Sequence, residues 1–351
     1  MTDKKNSNPE LIWITGFSQG GTTLLMSLLD GHPDLLVYPD EPAFGKLFKR
    51  QNHYVSLQHF IADFLFGTTN HLHFAQEAGT ENVKNKTYPA AIEADYNKIH
   101  NIFSEKWVEN KRLRGLELNS DFDQVNFFLN YHNALLDKIK KITEINAKDV
   151  VRVSFEALNK AYPVVASNKR VRTFKGPLSS VYFHKLDWFR ENYNGKIIFI
   201  HRNPYARLYS KIMHLRKKGR PARAPRLRES FFGFMRLCNA NARDYSQSVK
   251  ISKEKDIISI YYEDLVNDCE KTMRYICKKL KIHFHDVLLR PTKLGYDVKN
   301  PTDRTESNST IATTSLFKYQ KELTTLERLI FTLFLKSYDL FAIKIYQKLF
   351  K

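Results

Sequence analysis

The stretch LIWITGFSQGGTTLLMSLLDGHP, residues 11–33, combines three patterns that together decide the fold. Residues 11–15 are apolar and partly β-branched, which is typical of a short buried strand. A glycine-rich loop follows, and four leucines at helical spacing then indicate a helix that ends near Gly31 and Pro33. A strand, a glycine loop and a helix in this order predict a loop that holds a phosphate group at the helix N-terminus.

The loop departs from the pattern of nucleoside triphosphate sites at one position. Gly16, Gly21 and Thr23 are in register with that pattern, but Thr22 occupies the place of the lysine that reaches the outer phosphates. A later strand ends in FIHRNP, which offers Arg202 and no aspartate for Mg²⁺. The loop is therefore better suited to a shorter anion that binds without a metal.

A second basic motif, HRNPYARLYS, spans residues 201–210. Arg202 follows a strand, and Ser210 lies about two turns into the next helix. A forked arginine and a serine hydroxyl together suit a second phosphate group. Taken alone, the motif is better explained by an arginine paired with a carboxylate and a serine bonded to its own backbone.

The order of the remaining segments predicts one α/β domain over residues 1–351, with a P-loop-like parallel sheet flanked by helices. Three further segments have the pattern of strands: RVRTFKG, KIIFIHRNP and DIISIYYEDL. A helical segment follows each of them. Residues 50–150 have helical spacing and are interpreted as an insertion that shapes the acceptor site. The C-terminal tail, 316–351, is apolar with interspersed lysines, so it either docks on the core or lies on an anionic membrane surface.

Composition narrows the possible partners. The net charge of +19 predicts an anionic partner. No nucleic-acid-binding motif accompanies this charge, so a nucleic acid is not expected as the partner. Three scattered cysteines fit neither a disulfide framework nor a zinc site, and no metal is expected. The polar start and the lack of a long apolar run predict a cytoplasmic protein, possibly membrane-associated.

The two phosphate motifs carry a family resemblance. GFSQGGTTLLMSLLDGHPDLLVYPDEP and the later IIFIHRNPYARLYS resemble sulfotransferases that use 3′-phosphoadenosine 5′-phosphosulfate (PAPS), in the style of the carbohydrate and tyrosylprotein enzymes. YYEDLVNDCEKTMRYICKKL is similar to their following strand and helix. The resemblance implies transfer of a sulfuryl group to a hydroxyl, with PAPS as donor, 3′,5′-bisphosphate (PAP) as product and no metal.

The resemblance also implies the nucleotide contacts. The 5′-phosphosulfate would lie against one run of loop residues, Ser18, Gln19, Gly20, Gly21, Thr22 and Thr23. The 3′-phosphate would lie against Arg202 and Ser210, and Tyr262 would approach the nucleotide from the adjoining strand. Arg304 and Ser309 lie where family members close a lid over the nucleotide.

The catalytic residues are less directly assigned. Members of the family usually have lysine or arginine at the position of Gln19. A glutamine can donate a hydrogen bond there but brings no charge. Lys175 in TFKGP resembles a lysine of the tyrosylprotein enzymes, so we expect it to be the main cation, with Gln19 secondary. Glu41 in PDEP matches the family's general base, and Asp40 could exchange roles with it.

Three histidines are rival bases: His32, His184 and His201. His201 occupies a strand position and is expected to be structural, whereas His32 stands at a helix stop and is expected to cap it. Both interpretations leave the carboxylate as the expected base.

The expected acceptor is a carbohydrate or glycolipid, possibly anionic, with membrane contact through the tail. The basic segment 216–228 either docks this acceptor or is a solvated loop. Two alternatives remain from the residues alone: a P-loop kinase or ATPase, and a non-enzymatic basic protein that binds an anion or a membrane.

Overall fold

The computed structural model describes seven ranges of the chain and six helical residues between 127 and 138. The ranges are 10–39, 147–162, 169–176, 178, 184–217, 221–297 and 316–349. Most of the expected insertion at 50–150 lies outside these residues, as do Asp40, Glu41, Arg304 and Ser309.

A parallel sheet of five strands forms the centre of the molecule, in the order β2-β3-β1-β4-β5. The strands are β1 (Leu11–Thr15), β2 (Leu35–Val37), β3 (Val171–Lys175), β4 (Gly195–His201) and β5 (Ile257–Tyr261). All five residues of β1 are buried, as expected for a central strand that is covered on both faces. The predicted α/β fold with a P-loop-like sheet is confirmed.

Helices cover both faces of this sheet. They are α1 (Thr22–Asp30), α2 (Ala147–Ala161), α3 (His184–Asn192), α4 (Pro204–Lys217), α5 (Phe231–Ile251), α6 (Tyr262–Asn267), α7 (Cys269–Leu280), α8 (Lys318–Glu322) and α9 (Thr325–Leu349). Side chains that alternate along β1 pack in opposite directions: Trp13 joins a core with α2 and α3, and Ile12 joins a core with α1 and α7. The sheet is thus the middle of three layers.

A short hairpin closes the described part of the fold beside α1. Its strands, β6 (Thr292–Lys293) and β7 (Tyr296–Asp297), are antiparallel. The buried carboxylate of Asp30 accepts hydrogen bonds from the Thr292 hydroxyl at 3.0 Å and from the Gly295 N–H at 2.7 Å. This contact ties the hairpin to the end of the helix that follows the glycine loop.

The C-terminal helix α9 docks on the body of the protein through its first half. Phe331 is fully buried in a third core with Leu208 of α4 and Phe234 of α5. In the described residues, one face of α9 therefore docks on the core, and the face with the exposed Leu326, Leu329 and Leu333 stays free to contact a membrane. No helix in the described ranges is long and apolar enough to cross a membrane.

Several elements differ from the sequence predictions. β2, α2 and α5 were not predicted, whereas the strand and helix bounds around the two phosphate motifs match closely. Tyr262 is the first residue of α6 and not part of the strand, because the chain turns into a helix directly after Tyr261. The basic segment begins in the last turn of α4, at Arg216 and Lys217, where the predicted loop is wrong. Its other described residues, 221–228, form a 3-10 turn at Pro221–Arg223 and a loop, as predicted.

Candidate functional site

The carboxyl ends of the central strands bring the predicted site residues to one edge of the sheet. β1 lies between β3 and β4, with Ile14 beside Lys175 and Thr15 beside Phe199. The glycine loop leaves β1 at this edge, and Lys175 and Arg202 stand at the ends of the two neighbouring strands. Ligands of open parallel sheets bind at this edge.

The loop leads into a start of α1 that no side chain caps. Gly20 N–H bonds the Phe17 carbonyl at 2.9 Å, and Gly21 precedes the helix with no side-chain cap. No acidic side chain occupies the first turn of α1. The positive end of the helix is therefore free of negative charge from its own turn, as an anion site requires.

Gly21 can only be glycine in this conformation. Its φ of 100° lies in the left-handed region, and a Cβ atom would stand 2.2 Å from Cδ2 of Tyr262. The tyrosine ring thus packs directly against the loop backbone. Gln19 also has a positive φ, 67°, so the turn before the glycine pair is held in an uncommon conformation.

Arg202 reaches the loop from the end of β4. Its Nη1 donates to the Gln19 carbonyl at 2.8 Å, and its guanidinium lies 4.4 Å from the centre of the Tyr262 ring. Burial lowers the pKa of this guanidinium, which nevertheless stays charged. Its Nε is buried and, among the described residues, has no hydrogen-bond partner. An orphaned charged donor beside an uncapped helix end fits a phosphate or sulfate oxygen.

The turn after Arg202 is fixed by its neighbours. Asn203 Oδ1 accepts from the N–H groups of Tyr205 at 3.0 Å and Ala206 at 3.2 Å, which caps α4. Glu263 Oε1 accepts from Asn203 N–H at 2.9 Å. Ser210 lies two turns along α4 and is half-buried. Its predicted contact with a 3′-phosphate stays a prediction.

Lys175 approaches the other side of the loop. Its Nζ donates to Thr23 Oγ1 at 3.1 Å, and the residue is only 7% exposed. The ammonium group therefore lies at the first turn of α1, on the hydroxyl predicted to contact the phosphosulfate. Gln19 contacts Arg202 through its backbone carbonyl oxygen, and this bond does not involve its side-chain amide.

The sequence did not predict the hydrogen bonds that fix the turn at Gly176, directly after Lys175. The carbonyl of Gly176 accepts from Trp13 Nε1 at 2.9 Å and from Thr15 Oγ1 at 2.7 Å, so both its lone pairs are used. The Gly176 N–H donates to the Ile14 carbonyl at 3.0 Å. Only the polar atoms within the apolar run LIWIT hinted at this role, since Trp and Thr need partners when buried.

The strands that flank β1 end in cations and not in acids. β3 ends in Lys175, and β4 is followed by Arg202. A triphosphate site needs an acid there to organise Mg²⁺. In the described ranges, no group of three His, Cys, Asp or Glu residues could hold a metal ion.

Two of the rival histidines have structural partners. Burial lowers the pKa of His201 to about 4, and its Nδ1 is hydrogen bonded to Ser248 Oγ at 2.5 Å. His32 accepts from Asp34 N–H at Nδ1 and donates from Nε2 to the His283 carbonyl at 2.7 Å. His201 thus agrees with the structural interpretation, whereas the His32 ring links the turn at Asp34 to His283 and does not cap α1. The side chain of His184 lies outside the described part of the structure.

The comparisons with known proteins agree with this geometry. The model of the sulfotransferase family matches residues 9–286, more than half of the chain, which include the loop, Lys175 and Arg202. No curated protein sequence matches the chain significantly.

Three solved structures are similar over most of their length. One is the sulfotransferase domain of the Synechococcus PCC 7002 olefin synthase, with 18% identity, a TM-score of 0.47 and coverage of 95% of this chain and 98% of that one. Another is a sulfotransferase from Alicyclobacillus acidocaldarius, with 13% identity, a TM-score of 0.42 and coverage of 94% and 95%. The third is retinol dehydratase in complex with androsterone and inactive cofactor PAP, with 10% identity, a TM-score of 0.39 and coverage of 95% and 81%.

Proposed function

Because the chain belongs to the sulfotransferase family and is therefore a transferase, we propose that it moves a sulfuryl group from PAPS to an acceptor hydroxyl. The observation that carries this proposal is the convergence of two cations on one glycine loop. Lys175 bonds Thr23 at one end of the loop, and Arg202 bonds the Gln19 carbonyl at the other. A nucleotide with an anionic group at each end suits such a pair.

The loop would hold the 5′-phosphosulfate through Gly20, the N–H group of Gly21 and the hydroxyls of Thr22 and Thr23. Ser18 and the Gln19 side chain complete this proposed set. Arg202 and Ser210 would hold the 3′-phosphate, and the orphaned Nε of Arg202 supports this assignment. Tyr262 would pack on the nucleotide from α6. The proposed lid contacts, Arg304 and Ser309, lie outside the described residues.

Lys175 would stabilise negative charge on the leaving oxygen during transfer. Its ammonium is already desolvated and fixed on Thr23, so it needs no rearrangement at the moment of reaction. Glu41, or Asp40 beside it, would take the acceptor proton as the hydroxyl oxygen attacks sulfur. When bound, PAPS supplies the sulfuryl group and leaves as PAP.

The proposed acceptor is an anionic carbohydrate or glycolipid, bound beside the 50–150 insertion in a cytoplasmic protein. The abundance of basic residues supports an anionic acceptor, and the apolar tail at 316–351 supports contact with a membrane. Transfer from labelled PAPS to a panel of glycans, glycolipids and phenols would identify the acceptor class. Labelling confined to small phenols would contradict the carbohydrate proposal without affecting the donor.

Calorimetric titration tests the donor site. We expect PAP to bind in the presence of EDTA, and Arg202→Ala to weaken it by roughly tenfold to a hundredfold, since a charge-assisted contact is lost. Arg274→Ala, an exposed arginine on α7, is the matched control and should leave the affinity unchanged. Tight binding of Mg·ATP with no response to PAP would contradict the proposal and favour a kinase or ATPase.

A further inference from the structure

Two phenylalanines stand on the surface at the first turn of α5. Phe232 is 83% exposed and Phe231 is 53% exposed, and their rings meet edge to face at 5.5 Å. The turn is held rigidly, because Ser230 caps the helix through a 3.1 Å bond from Gly233 N–H and Phe234 is fully buried. The fold therefore presents two adjacent aromatic rings to solvent, which makes this turn a candidate interaction site together with the charges and leucines around it.

The surface around this pair is strongly positive. The described residues of this region, 216–217 and 221–236, include six lysines and arginines and one acid, Glu229. That acid is already paired with Arg216 and accepts from Arg226 N–H at 2.9 Å. Three arginines on either side of the phenylalanines are exposed: Arg223, Arg228 and Arg236.

A leucine stripe on α9 lies close to the same surface. Leu326, Leu329 and Leu333 are 56%, 56% and 59% exposed and recur at one-face spacing. The opposite side of the helix carries the buried Phe331. The described half of α9 thus has one apolar stripe in the core and a second one facing outward.

Two sets of contacts fix how α5 and α9 lie together. Glu327 at the start of α9 accepts from Arg226 Nε at 2.7 Å and from Leu227 N–H at 3.1 Å. About three turns further along α9, the Tyr338 hydroxyl donates to Asn239 Oδ1 at 2.7 Å. The two helices therefore run parallel, and their N-terminal ends, with the phenylalanines and the leucines, lie at the same end of the molecule.

We infer that the N-terminal ends of α5 and α9 form a docking surface for an anionic phospholipid bilayer. Phe231 and Phe232 enter the interface between headgroups and acyl chains, and the flanking arginines meet the headgroup phosphates. Charge selects this occupant, because a second copy would place the same positive surface against itself. The inference extends the membrane contact proposed for the tail. It assigns this contact chiefly to α5 and the loop before it.

Vesicle flotation tests this surface with the full chain. We expect the protein to float with vesicles of phosphatidylcholine and phosphatidylglycerol, not with phosphatidylcholine alone, and salt to release it. Phe231→Ser/Phe232→Ser should lower the partition coefficient by about tenfold or more. Val249→Ser, a 36% exposed residue at the other end of α5, is the matched control and should have no effect.

Charge variants test the second half of the inference. Arg223→Gln/Arg228→Gln should weaken vesicle binding by about tenfold, whereas Lys278→Gln/Lys279→Gln on the exposed face of α7 should not. Every variant should bind PAP like the unmodified protein, which separates this inference from the proposed chemistry.

Three results would overturn the inference. In the first, the phenylalanine variant floats normally while Leu329→Ser/Leu333→Ser abolishes flotation, which would leave the tail contact standing alone. In the second, the unmodified protein ignores anionic vesicles, and the tail contact fails as well. In the third, lipid-free protein dimerises in sedimentation and the phenylalanine variant is monomeric, which would assign the surface to a second copy.

Discussion

Replacement of Lys175 by methionine separates the proposed catalytic charge from the rest of the site. Methionine keeps a long apolar stem at the end of β3 and removes only the ammonium group. Lys175 is 7% exposed, and its Nζ lies 3.1 Å from Thr23 Oγ1, so little water can take the place of the lost charge. We expect slow sulfuryl transfer by a protein that still folds and binds nucleotide.

The size of the effect follows from the charge and its surroundings. A full negative charge about 4 Å from an ammonium group is stabilised by about 4 kcal/mol at an effective dielectric constant near 20. The leaving oxygen gains only part of a charge in the transition state, so about 2–3 kcal/mol is lost. That loss lowers the transfer rate by roughly 30- to 150-fold.

The assay compares transfer and binding in the same preparations. Transfer is measured with labelled PAPS and the acceptor found by the panel, and binding with PAP by calorimetry. Lys196→Met is the control, since this exposed lysine stands at the amino end of β4 beside Ile12. An unchanged rate in Lys175→Met would refute the assignment and return the role to Gln19. A loss of PAP affinity as large as the loss of rate would make Lys175 a binding residue.

Three further substitutions probe the loop, the turn at Gly176 and the docking of α9. Gly21→Ala should weaken PAP binding by at least about tenfold in calorimetry, because a left-handed alanine is strained by about 1–3 kcal/mol and its Cβ would overlap the Tyr262 ring; unchanged affinity would contradict the close approach. Thr15→Val removes one of two hydrogen bonds that fix the turn after Lys175, so the transfer rate should fall by about tenfold. PAP affinity should stay constant and Thr15→Ser should restore the rate, whereas equal losses of both would indicate a general folding defect. Glu327 is 2% exposed, and burial alone would raise the pKa of its carboxyl. The hydrogen bonds from Arg226 and from two backbone N–H groups outweigh burial, so the pKa lies below its ordinary value of 4.5. The ion pair with Arg226 therefore stabilises the folded protein above that pH, and this stabilisation is lost as the pH falls through the lower folded pKa. Glu327→Gln should lower the free energy of unfolding by about 3 kcal/mol at pH 7 and weaken the dependence of that free energy on pH under acidic conditions. Denaturant titrations that show an unchanged pH dependence in this variant would refute the assignment.

The sequence was most informative where local patterns and chemistry coincide. The strand, loop and helix of residues 11–30 and the Arg202 turn carry their own signals: apolar runs, glycines, and a proline in the first turn of α4. Neighbouring parallel strands share one carboxyl edge, so their end residues meet without any further information.

Other elements had no comparable local signal. β2 has three residues, too few for a recognisable period, and α5 opens with Phe, Phe and Gly, which do not favour a helix start. The first turn of α5 is held by the Ser230 cap and by burial of Phe234. Trp13 and Thr15 reach Gly176 across more than 160 residues, and only the folded sheet brings them together.

The bond between Arg202 Nη1 and the Gln19 carbonyl joins the arginine to the glycine loop, although we propose the same arginine for the 3′-phosphate. An anion that draws the guanidinium away from this carbonyl changes the energy of the loop. By reciprocity, an anion seated in the loop changes the affinity at the guanidinium by the same factor. Fragments that carry a single phosphate should therefore bind with affinities that do not combine additively, and the two ends of the proposed nucleotide would be bound as one ligand.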